Sequence, residues 1–307
     1  MPDVFGLHDN ANITFAQNET FQLLADLVLL QPKSSLSYEG GKSREEIIEE
    51  VATRILNQCP QSLDESAIIR KYPIMYEQSM NTVLIQEVIR FNNLLAEIRS
   101  TLKQLIKAIK GLVVMSASLE AMATFLFTNQ IPELWNAKAY PSLKALGPWI
   151  QDLQERIAFL KSWYEKGLPP VFWISGFFFP QAFLTGQLQN FARKYSVPVD
   201  TVSFNFKVMK EGFGELRQVP KDGCYIHGLF LEGCRWNPDD MCLTESRPKE
   251  LYTQMPIIWL IPEANRQKVD DGFYDCPVYK TLNRSGTLST TGLSTNFVFT
   301  VEIPSNE

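Results

Sequence analysis

Between Pro73 and Gly111 the sequence contains neither proline nor glycine. The two residues that most readily interrupt a helix are therefore absent from this stretch. We predict one helix over residues 78–109, which at 1.5 Å per residue is roughly 48 Å long. A helix of this length is expected to be the central element of the helical part of the fold.

Apolar side chains recur along this stretch at alternating spacings of four and three residues: Leu84, Val88, Phe91, Leu95, Ile98, Leu102, Leu105 and Ile109. The pattern is compatible with a coiled coil between two chains and with a central helix in an intramolecular bundle. Residues beside this seam, namely Ile85, Leu94 and Ile106, are also apolar and widen the stripe beyond a two-stranded interface. The width favours the intramolecular bundle, so we predict a monomeric protein.

Further helices are predicted from apolar spacing and from residues that start and stop helices. An N-terminal helix is expected to end at Gln31-Pro32, because proline disfavours a helical residue before it. Ser43 and Glu46 have the spacing of a capping box, which predicts a helix from there to about Leu56. Three more helices are predicted over residues 118–127, 143–166 and 181–195.

After Pro198 the sequence changes to short runs rich in β-branched and aromatic residues, separated by Gly, Pro, Asn and Asp. These runs are residues 201–209, 225–231, 257–261, 278–282 and 296–303. They predict an antiparallel β-module behind the helices, and the protein is therefore assigned to the α+β class.

Composition narrows the class of protein. The sequence has 307 residues and a formal net charge of −5, and its length suggests about two domains at roughly 150 residues each. A mildly acidic surface makes nucleic acid an unfavourable partner, and no apolar run approaches the ~20 residues that span a bilayer, so we predict no membrane segment. Five cysteines, an odd number, and an N-terminus without a secretory pattern predict a reducing compartment.

Gly40-Gly41-Lys42-Ser43 is similar to the end of a phosphate-binding loop. That motif needs another glycine five positions before Gly41, where this sequence has Leu36, and a hydrophobic strand upstream, where it has Gln31-Pro32-Lys33. The glycines that would cradle a phosphate are missing. We predict a surface loop and helix cap here, and no bound nucleotide.

Four residues of zinc-binding type lie close together in sequence: Cys224, His227, Cys234 and Cys242. Positions 224 and 227 face opposite sides of a regular strand, and the last two cysteines lack the close spacing of a zinc pair. We favour buried free cysteines beside a structural histidine, and predict no catalytic, cofactor-binding or metal-binding residue. The alternative is a hydrolase or metal-dependent enzyme centred on His227 and these cysteines, which a strongly shifted His227 in an open pocket would favour.

Residues 169–180 are unusually rich in aromatic side chains. Because each large aromatic side chain buries 150–250 Å² as a rule, we expect this segment to join the helical part to the β-module. The alternative is an exposed aromatic patch on which a neighbouring domain docks. Burial of the side chains distinguishes the two.

Several blocks of sequence are typical of one protein family. They are residues 5–13 (FGLHDNANI), 71–84 (KYPIMYEQSMNTVL), 107–116 (KAIKGLVVMS), 140–144 (YPSLK), 172–179 (FWISGFFF), 225–233 (YIHGLFLEG), 276–281 (CPVYKT) and 286–292 (GTLSTTG). On these blocks the sequence resembles the C-terminal end of dynein heavy chains. Residues 177–186 resemble the axonemal heavy chains most closely, with the inner-arm group nearest.

The resemblance implies a fragment of a larger motor built on a ring of six AAA+ modules. Residues 1–117 are similar to the small helical lid of the sixth module, which does not bind nucleotide in this family. Residues 118–307 are similar to the C-terminal domain, with a helical part at 118–197 and an incomplete antiparallel β-barrel at 198–307. In this family the C-terminal domain lies against the ring and braces it. The implied fold is thus an α+β fold with an N-terminal helical bundle.

The resemblance also implies where the motor chemistry lies. ATP and Mg²⁺ belong to ring modules outside these 307 residues, so the fragment itself is expected to be no enzyme. Its partners would be the other ring modules, whereas microtubules and the intermediate and light chains would bind elsewhere on the heavy chain. The implied location is the cytoplasm, the cytoskeleton and the axoneme of cilia and flagella, and the implied activity of the whole motor is minus-end-directed movement.

Two departures from the family pattern are present. Leu293 stands where the family commonly has histidine after Ser-Thr-Thr-Gly, which weakens any role implied for that position. The sequence stops at Glu307, before the usual Trp-Ile-x-Arg-Gly segment, and a trimmed or variant terminus is the expectation from this difference.

Overall fold

The computed structural model of the protein describes residues 6, 9–30, 43–142, 144–267, 272–279 and 298–305. The helices are α1 (Asp9–Leu30), α2 (Arg44–Gln58), α3 (Glu65–Lys71), α4 (Ser79–Ile109), α5 (Ala117–Phe127), α6 (Glu133–Asn136), α7 (Leu146–Lys166) and α8 (Pro180–Tyr195). The strands are β1 (Val171–Trp173), β2 (Val202–Val208), β3 (Cys224–His227), β4 (Phe230–Glu232), β5 (Cys234–Asn237), β6 (Cys242–Glu245), β7 (Tyr252–Gln254), β8 (Ile258–Ala264), β9 (Phe273–Tyr279) and β10 (Val298–Pro304). This order confirms the α+β class.

The predicted central helix is confirmed as α4. Of the eight seam residues, the seven from Leu84 to Leu105 are at most 1% exposed, and the flanking Leu94 is fully buried as well. Helices α2, α3, α5, α6, α7 and α8 all contact α4. The wide apolar stripe is therefore covered within one molecule, which confirms the intramolecular bundle, while the monomeric state stays a prediction.

The predicted helix starts agree closely with the structure. The amide of Glu46 donates to the Ser43 hydroxyl at 3.2 Å and the amide of Ser43 donates to the Glu46 carboxylate at 2.8 Å, which is the predicted capping box. Helix α7 begins three residues after the predicted start and α2 ends two residues beyond the predicted end. Helices α3 and α6 were not predicted, because elements of seven and four residues are too short to show a helical period.

The strands form three small sheets. Their orders are β1-β3-β8-β2, β10-β9-β4-β7 and β5-β6, and within the described residues these sheets do not close into a barrel. Among the described residues the strand ladders are antiparallel except that of β1 with β3, which is parallel and aligns Trp173 with His227. An isolated parallel bridge also joins Leu243 of β6 to Ser305. Strand β1 comes from the aromatic segment before α8, so the helical part contributes one strand to the first sheet.

The run 225–231 was predicted as one strand, and the structure divides it into β3 and β4. Gly228 lies between them with φ of +89°, a left-handed conformation that breaks a strand, so the two halves join different sheets. The predicted strand 278–282 overlaps β9 only at residues 278–279, since β9 begins at Phe273, whereas the predicted strand 296–303 corresponds to β10. Residues 280–282 and 296–297 lie outside the described residues.

Two features join the helical part to the β-module. The buried apolar residues form one continuous cluster that includes members from α2 to β10. In addition, Asn10 of α1 is 7% exposed and fastens the loop between β6 and β7. Its amide nitrogen donates to Ser246 Oγ at 2.8 Å and to the carbonyls of Arg247 and Glu250, and its oxygen accepts from the Lys249 amide at 2.7 Å. Residues 239 positions apart in sequence are thus in direct contact.

Across the part of the sequence that the structure describes, no helix combines the length and the apolar character that crossing a membrane requires.

Candidate functional site

The aromatic segment 169–180 forms a junction between the helices and the first sheet. Helix α7 ends at Lys166; the next residue, Gly167, has φ of +96°, and Pro169 and Pro170 prevent continuation of the helix. The backbone then forms β1 and one turn of 3₁₀ helix at Ile174–Gly176 before α8 begins at Pro180. Proline suits the first helical position because its missing amide hydrogen would have no intrahelical partner there.

Trp173 occupies a slot between two glycines of this junction. A Cβ atom on Gly176 would lie 2.5 Å from the indole, and a Cβ atom on Gly228 would lie 2.5 Å from Trp173 Cδ1 and 2.6 Å from Ser175 Oγ. Since real Cβ atoms do not approach that closely, only glycine fits at either position. The two glycines come from separate family blocks, FWISGFFF and YIHGLFLEG, and the structure brings these blocks together.

The other aromatic rings of the junction pack against α7 and α8. Phe172 and Phe177 each lie 4.7 Å from Phe183 of α8, measured between ring centroids, and Trp163 of α7 lies 5.3 Å from Phe172. These four side chains are at most 2% exposed. The burial confirms that this segment is a core junction and argues against the exposed docking patch. Phe179 is an exception, because its side chain is 45% exposed.

A buried arginine lies beside the aromatic cluster. Arg156 of α7 is 1% exposed, and its Nε donates to Asp152 Oδ2 at 2.7 Å while Nη1 donates to the Phe177 carbonyl at 3.3 Å. Its guanidinium carbon lies 3.8 Å from the centroid of the Tyr140 ring. Lys144 Nζ contacts the other Asp152 oxygen at 2.8 Å. Burial alone would raise the pKa of Asp152, but the two cations outweigh it and the pKa is lowered.

Glu87 connects α4 to the start of α8. Its carboxylate is 1% exposed and accepts hydrogen bonds from the amides of Phe178 at 2.5 Å and Phe179 at 2.9 Å, the two residues that precede Pro180. A negative group at a helix N-terminus is favourable, because free amides and the helix dipole both point towards it. Burial raises the pKa of Glu87, and the two amides and Arg90 partly offset this effect.

Sequence reasoning missed Glu87, although a signal was present. Glu87 lies three residues after Leu84 and one before Val88, so a carboxylate falls within the apolar stripe of α4. An acid at a buried helical position needs a partner. The identity of that partner, two backbone amides 91 and 92 residues away, depends on tertiary structure and cannot be inferred from local sequence.

The His227 region was the predicted alternative site. His227 borders an open cavity of about 510 Å³ formed by the loop after β2 together with residues such as Trp236 and Met255. The imidazole contacts the Phe213 ring edge to face, with centroids 4.8 Å apart, and burial lowers the pKa of His227 to about 4. Among the described residues that line this cavity none is Ser, Thr or Cys.

The nearby cysteines do not gather around His227. Cys224 is 1% exposed, whereas His227 borders the cavity, in agreement with the predicted opposite faces of the strand. Cys234 is partly exposed at the start of β5, and Cys242 is buried at the start of β6. In the described parts of the protein no three or more His, Cys, Asp or Glu side chains are close enough to hold a metal ion.

Some predicted features cannot be compared with the structure. His8, Gly40-Gly41-Lys42 and Leu293 lie outside the described residues. Ser43 is described, and it caps α2 as expected for the helix-cap interpretation of that sequence.

Comparison with known sequences identifies the family. Residues 17–307 match the family described as the C-terminal domain of the dynein heavy chain. This protein belongs to that family. The dynein resemblance of the sequence blocks is thereby confirmed.

Among similar proteins, "Dynein axonemal heavy chain 1" of Rattus norvegicus is 62% identical over all 307 residues, which are 7% of its own length. "Dynein axonemal heavy chain 3" of Homo sapiens is 48% identical over 305 residues, covering 99% of this sequence and 7% of the relative. "Dynein axonemal heavy chain 12" of Homo sapiens is 47% identical over 306 residues, which cover 100% of this sequence and 10% of the relative. The sequence thus spans a tenth or less of these dynein heavy chains.

Proposed function

We propose that this protein is the C-terminal region of an axonemal dynein heavy chain and serves as a non-catalytic, structural and regulatory part of that microtubule motor. The match to the C-terminal domain family of dynein heavy chains over residues 17–307 carries the proposal. The axonemal assignment rests on the names of the relatives. In this proposal ATP hydrolysis and microtubule binding belong to parts of the heavy chain outside these residues.

The proposed domain organisation follows the family resemblance. Residues 1–117 would be the helical lid of the sixth AAA+ module, and residues 118–197 and 198–307 would be the helical and β parts of the C-terminal domain. Contacts that cross these boundaries suit a brace, which must transmit force without deforming. Glu87 bonds to Phe178 and Phe179, and Asn10 bonds to the loop between β6 and β7.

The partners proposed for this region are the neighbouring AAA+ modules of the same heavy chain. Microtubules and the intermediate and light chains would act through other segments, in the cytoplasm and in the axoneme of cilia and flagella. No cofactor is assigned to the region itself, and ATP with Mg²⁺ would bind at other ring modules. The whole motor would move towards the minus ends of microtubules.

The bracing role is tested in the full heavy chain with Glu87→Gln, with Glu97→Gln as the matched control. Both residues are on α4, but Glu97 is partly exposed and pairs with Lys138. If the region braces the ring, the Glu87 variant lowers the microtubule gliding velocity at saturating ATP more than it lowers the ATPase rate, and the control changes neither. Equal, wild-type velocities in both variants would argue against a bracing role.

The non-catalytic assignment has its own test. We expect no heat of Mg-ATP binding and no ATPase activity when the isolated protein is titrated, and no change of melting temperature with a strong chelator, because structural zinc would contribute folding energy directly. Micromolar Mg-ATP binding, or a large fall in melting temperature with stoichiometric zinc release, would contradict this assignment.

A hydrolase centred on His227 is the second candidate, and the open cavity with a lowered His227 pKa is the observation in its favour. Among the described residues of its lining there is no hydroxyl or thiol that a histidine base could activate. Turnover of activated esters by the wild-type protein that His227→Asn abolishes, with an unchanged melting temperature, would support the enzyme. We expect no turnover in either protein.

A further inference from the structure

Three of the eight methionines of the sequence border the His227 cavity. Met209 follows β2, Met241 lies in the turn between β5 and β6, and Met255 lies between β7 and β8. Sequence analysis considered the histidine and the cysteines of this region but not its methionines, which come from three separate segments. The fold therefore brings three methionines and one histidine to the wall of a single cavity.

Strand pairing places two of these residues in one row. The Met209 amide donates to the Ile257 carbonyl at 2.8 Å, which extends the pairing of β2 with β8 by one residue. On the other side of β8, Ile226 pairs with Ile258, and continuing this register places His227 opposite Ile257. Residues opposite one another on neighbouring strands share a face of the sheet. Met209 and His227 thus flank Ile257 on the face that borders the cavity.

The other two methionines complete the surroundings of the histidine. The Met255 amide donates to the Leu229 carbonyl at 2.9 Å, so the register of β3 with β8 is kept two residues beyond His227. Met255 is therefore a diagonal neighbour of His227, and Cα atoms in that relation are roughly 7–8 Å apart. Met241 approaches from the β5-β6 turn and is partly buried.

The donor groups of the cavity are uncharged. Burial lowers the pKa of His227 to about 4, so the imidazole is neutral at pH 7 and carries a lone pair. The hydrogen bonds formed among the described residues do not include this imidazole, whose ring contact is with Phe213. Thioether sulfurs are neutral and polarisable. The charged residues of the lining, Lys210 and Glu211, are exposed and opposite in sign.

We propose that this cavity binds cuprous copper, held by the imidazole of His227 and the thioether sulfurs of Met209, Met241 and Met255. Thioethers select monovalent copper, and imidazole is also a good copper ligand. The sequence predicts a reducing compartment, which favours the monovalent ion. The inference departs from the sequence prediction of no metal-binding residue, and it does not depend on the proposed motor role.

The same donor set disfavours harder divalent ions. Zn²⁺ in proteins takes thiolate, imidazole and carboxylate ligands, whereas thioethers are poor ligands for it. In the described parts of the protein no three His, Cys, Asp or Glu side chains lie close enough together for such a site. The cavity is therefore expected to bind Cu⁺ and its redox-inert analogue Ag⁺, and not to bind Zn²⁺.

The first test titrates Ag⁺ into wild-type protein labelled with ¹³C at the methionine methyl groups. Because five cysteines can also take up silver, accessible thiols are first blocked with N-ethylmaleimide in the native protein. Three of the eight methyl signals should shift together and saturate, and Zn²⁺ should shift none. Movement of fewer than three signals, movement of all eight, or an equal response to Zn²⁺ would overturn the proposal. This count needs no variant.

The second test identifies the ligands through the affinity for Cu⁺, measured anaerobically by competition with bicinchoninate. Met241→Leu changes the volume little and removes one sulfur. Its affinity should fall at least roughly tenfold, since even changes beside metal ligands cost 10–100-fold. Met75→Leu is the matched control, because Met75 is 45% exposed and lies outside the cavity, and its affinity should equal that of the wild type. Equal affinities of the two variants, with unchanged thermal melts, would show that Met241 is no ligand and overturn the site.

Discussion

The substitution Gly228→Ala tests how tightly Trp173 is held in the junction. Gly228 has φ of +89°, and an added Cβ would lie 2.5 Å from Trp173 Cδ1 and 2.6 Å from Ser175 Oγ. The left-handed backbone costs alanine about 1–2 kcal/mol, and overpacking a filled site costs about 1–3 kcal/mol more. We expect the free energy of unfolding to fall by about 2–5 kcal/mol in total.

Gly233 provides a matched control for the backbone contribution. Its φ is +75°, but no atom lies within 4 Å of the Cβ that Gly233→Ala would add. This variant should lose only about 1–2 kcal/mol from the left-handed conformation. The difference between the two variants therefore isolates the clash with Trp173 and Ser175.

Urea unfolding followed by far-UV circular dichroism measures both variants, and a double-mutant cycle with Trp173→Ala completes the experiment. Removing the indole opens the slot, so Gly228→Ala should be less destabilising in the Trp173→Ala background, by about 0.5–3 kcal/mol. The Ser175 contact remains and limits the recovery. If Gly228→Ala is no worse than Gly233→Ala, or if its effect simply adds to that of Trp173→Ala, the slot does not hold the ring as described.

Three further predictions concern the buried polar contacts and the central helix. Asn10→Ala should lower the free energy of unfolding by about 1–3 kcal/mol, because it leaves backbone groups of the loop between β6 and β7 without partners. Urea unfolding of the variant and the wild-type protein measures the loss, and a loss within experimental error would contradict the prediction. The pKa of Asp152 is lowered in the folded protein, so the ionised carboxylate contributes its full stability above the unfolded pKa of about 4 and loses it as the pH falls through the folded pKa. The difference in free energy of unfolding between wild type and Asp152→Asn should therefore shrink as the pH falls through this range. A difference that stays constant with pH would contradict the prediction. Leu95→Asp should unfold the helical bundle, as seen in thermal melts, because it buries an unpaired charge. If light scattering instead showed that the wild-type protein is a stable dimer and the variant a folded monomer, the helix would be part of a coiled coil.

Sequence reasoning succeeded where a single local signal decides the structure. The absence of proline and glycine between Pro73 and Gly111 predicted the bounds of α4 to within one residue, and the Ser43–Glu46 spacing predicted the start of α2. Both signals act within one element, through the helical period or through atoms three residues apart. The aromatic content of residues 169–180 likewise predicted a core junction, because rings of that size are seldom left exposed.

Sequence reasoning failed where the structure depends on pairing between distant segments. Strand β1 has three residues and lies within an aromatic run, so nothing local distinguishes it from a loop, and its parallel pairing with β3 follows from tertiary packing. The pairing of Glu87 with the amides of Phe178 and Phe179 has the same origin. Each needs the register of elements that are far apart in the sequence, which no residue pattern encodes by itself.

The parallel pairing of β1 with β3 has a consequence for the order of folding. The residues that join in this ladder, Val171 and Tyr225 among them, are separated by α8 and β2, so a long loop must close before the ladder forms. Closure of such loops slows folding, and contacts of high sequence separation form late as a rule. The helical bundle can therefore form around α4 first, and β1 pairs with β3 only when the β-module packs against the helices. A fragment of residues 198–307 made without the helical part would lack β1 and leave β3 as an open strand edge, which is a site for aggregation.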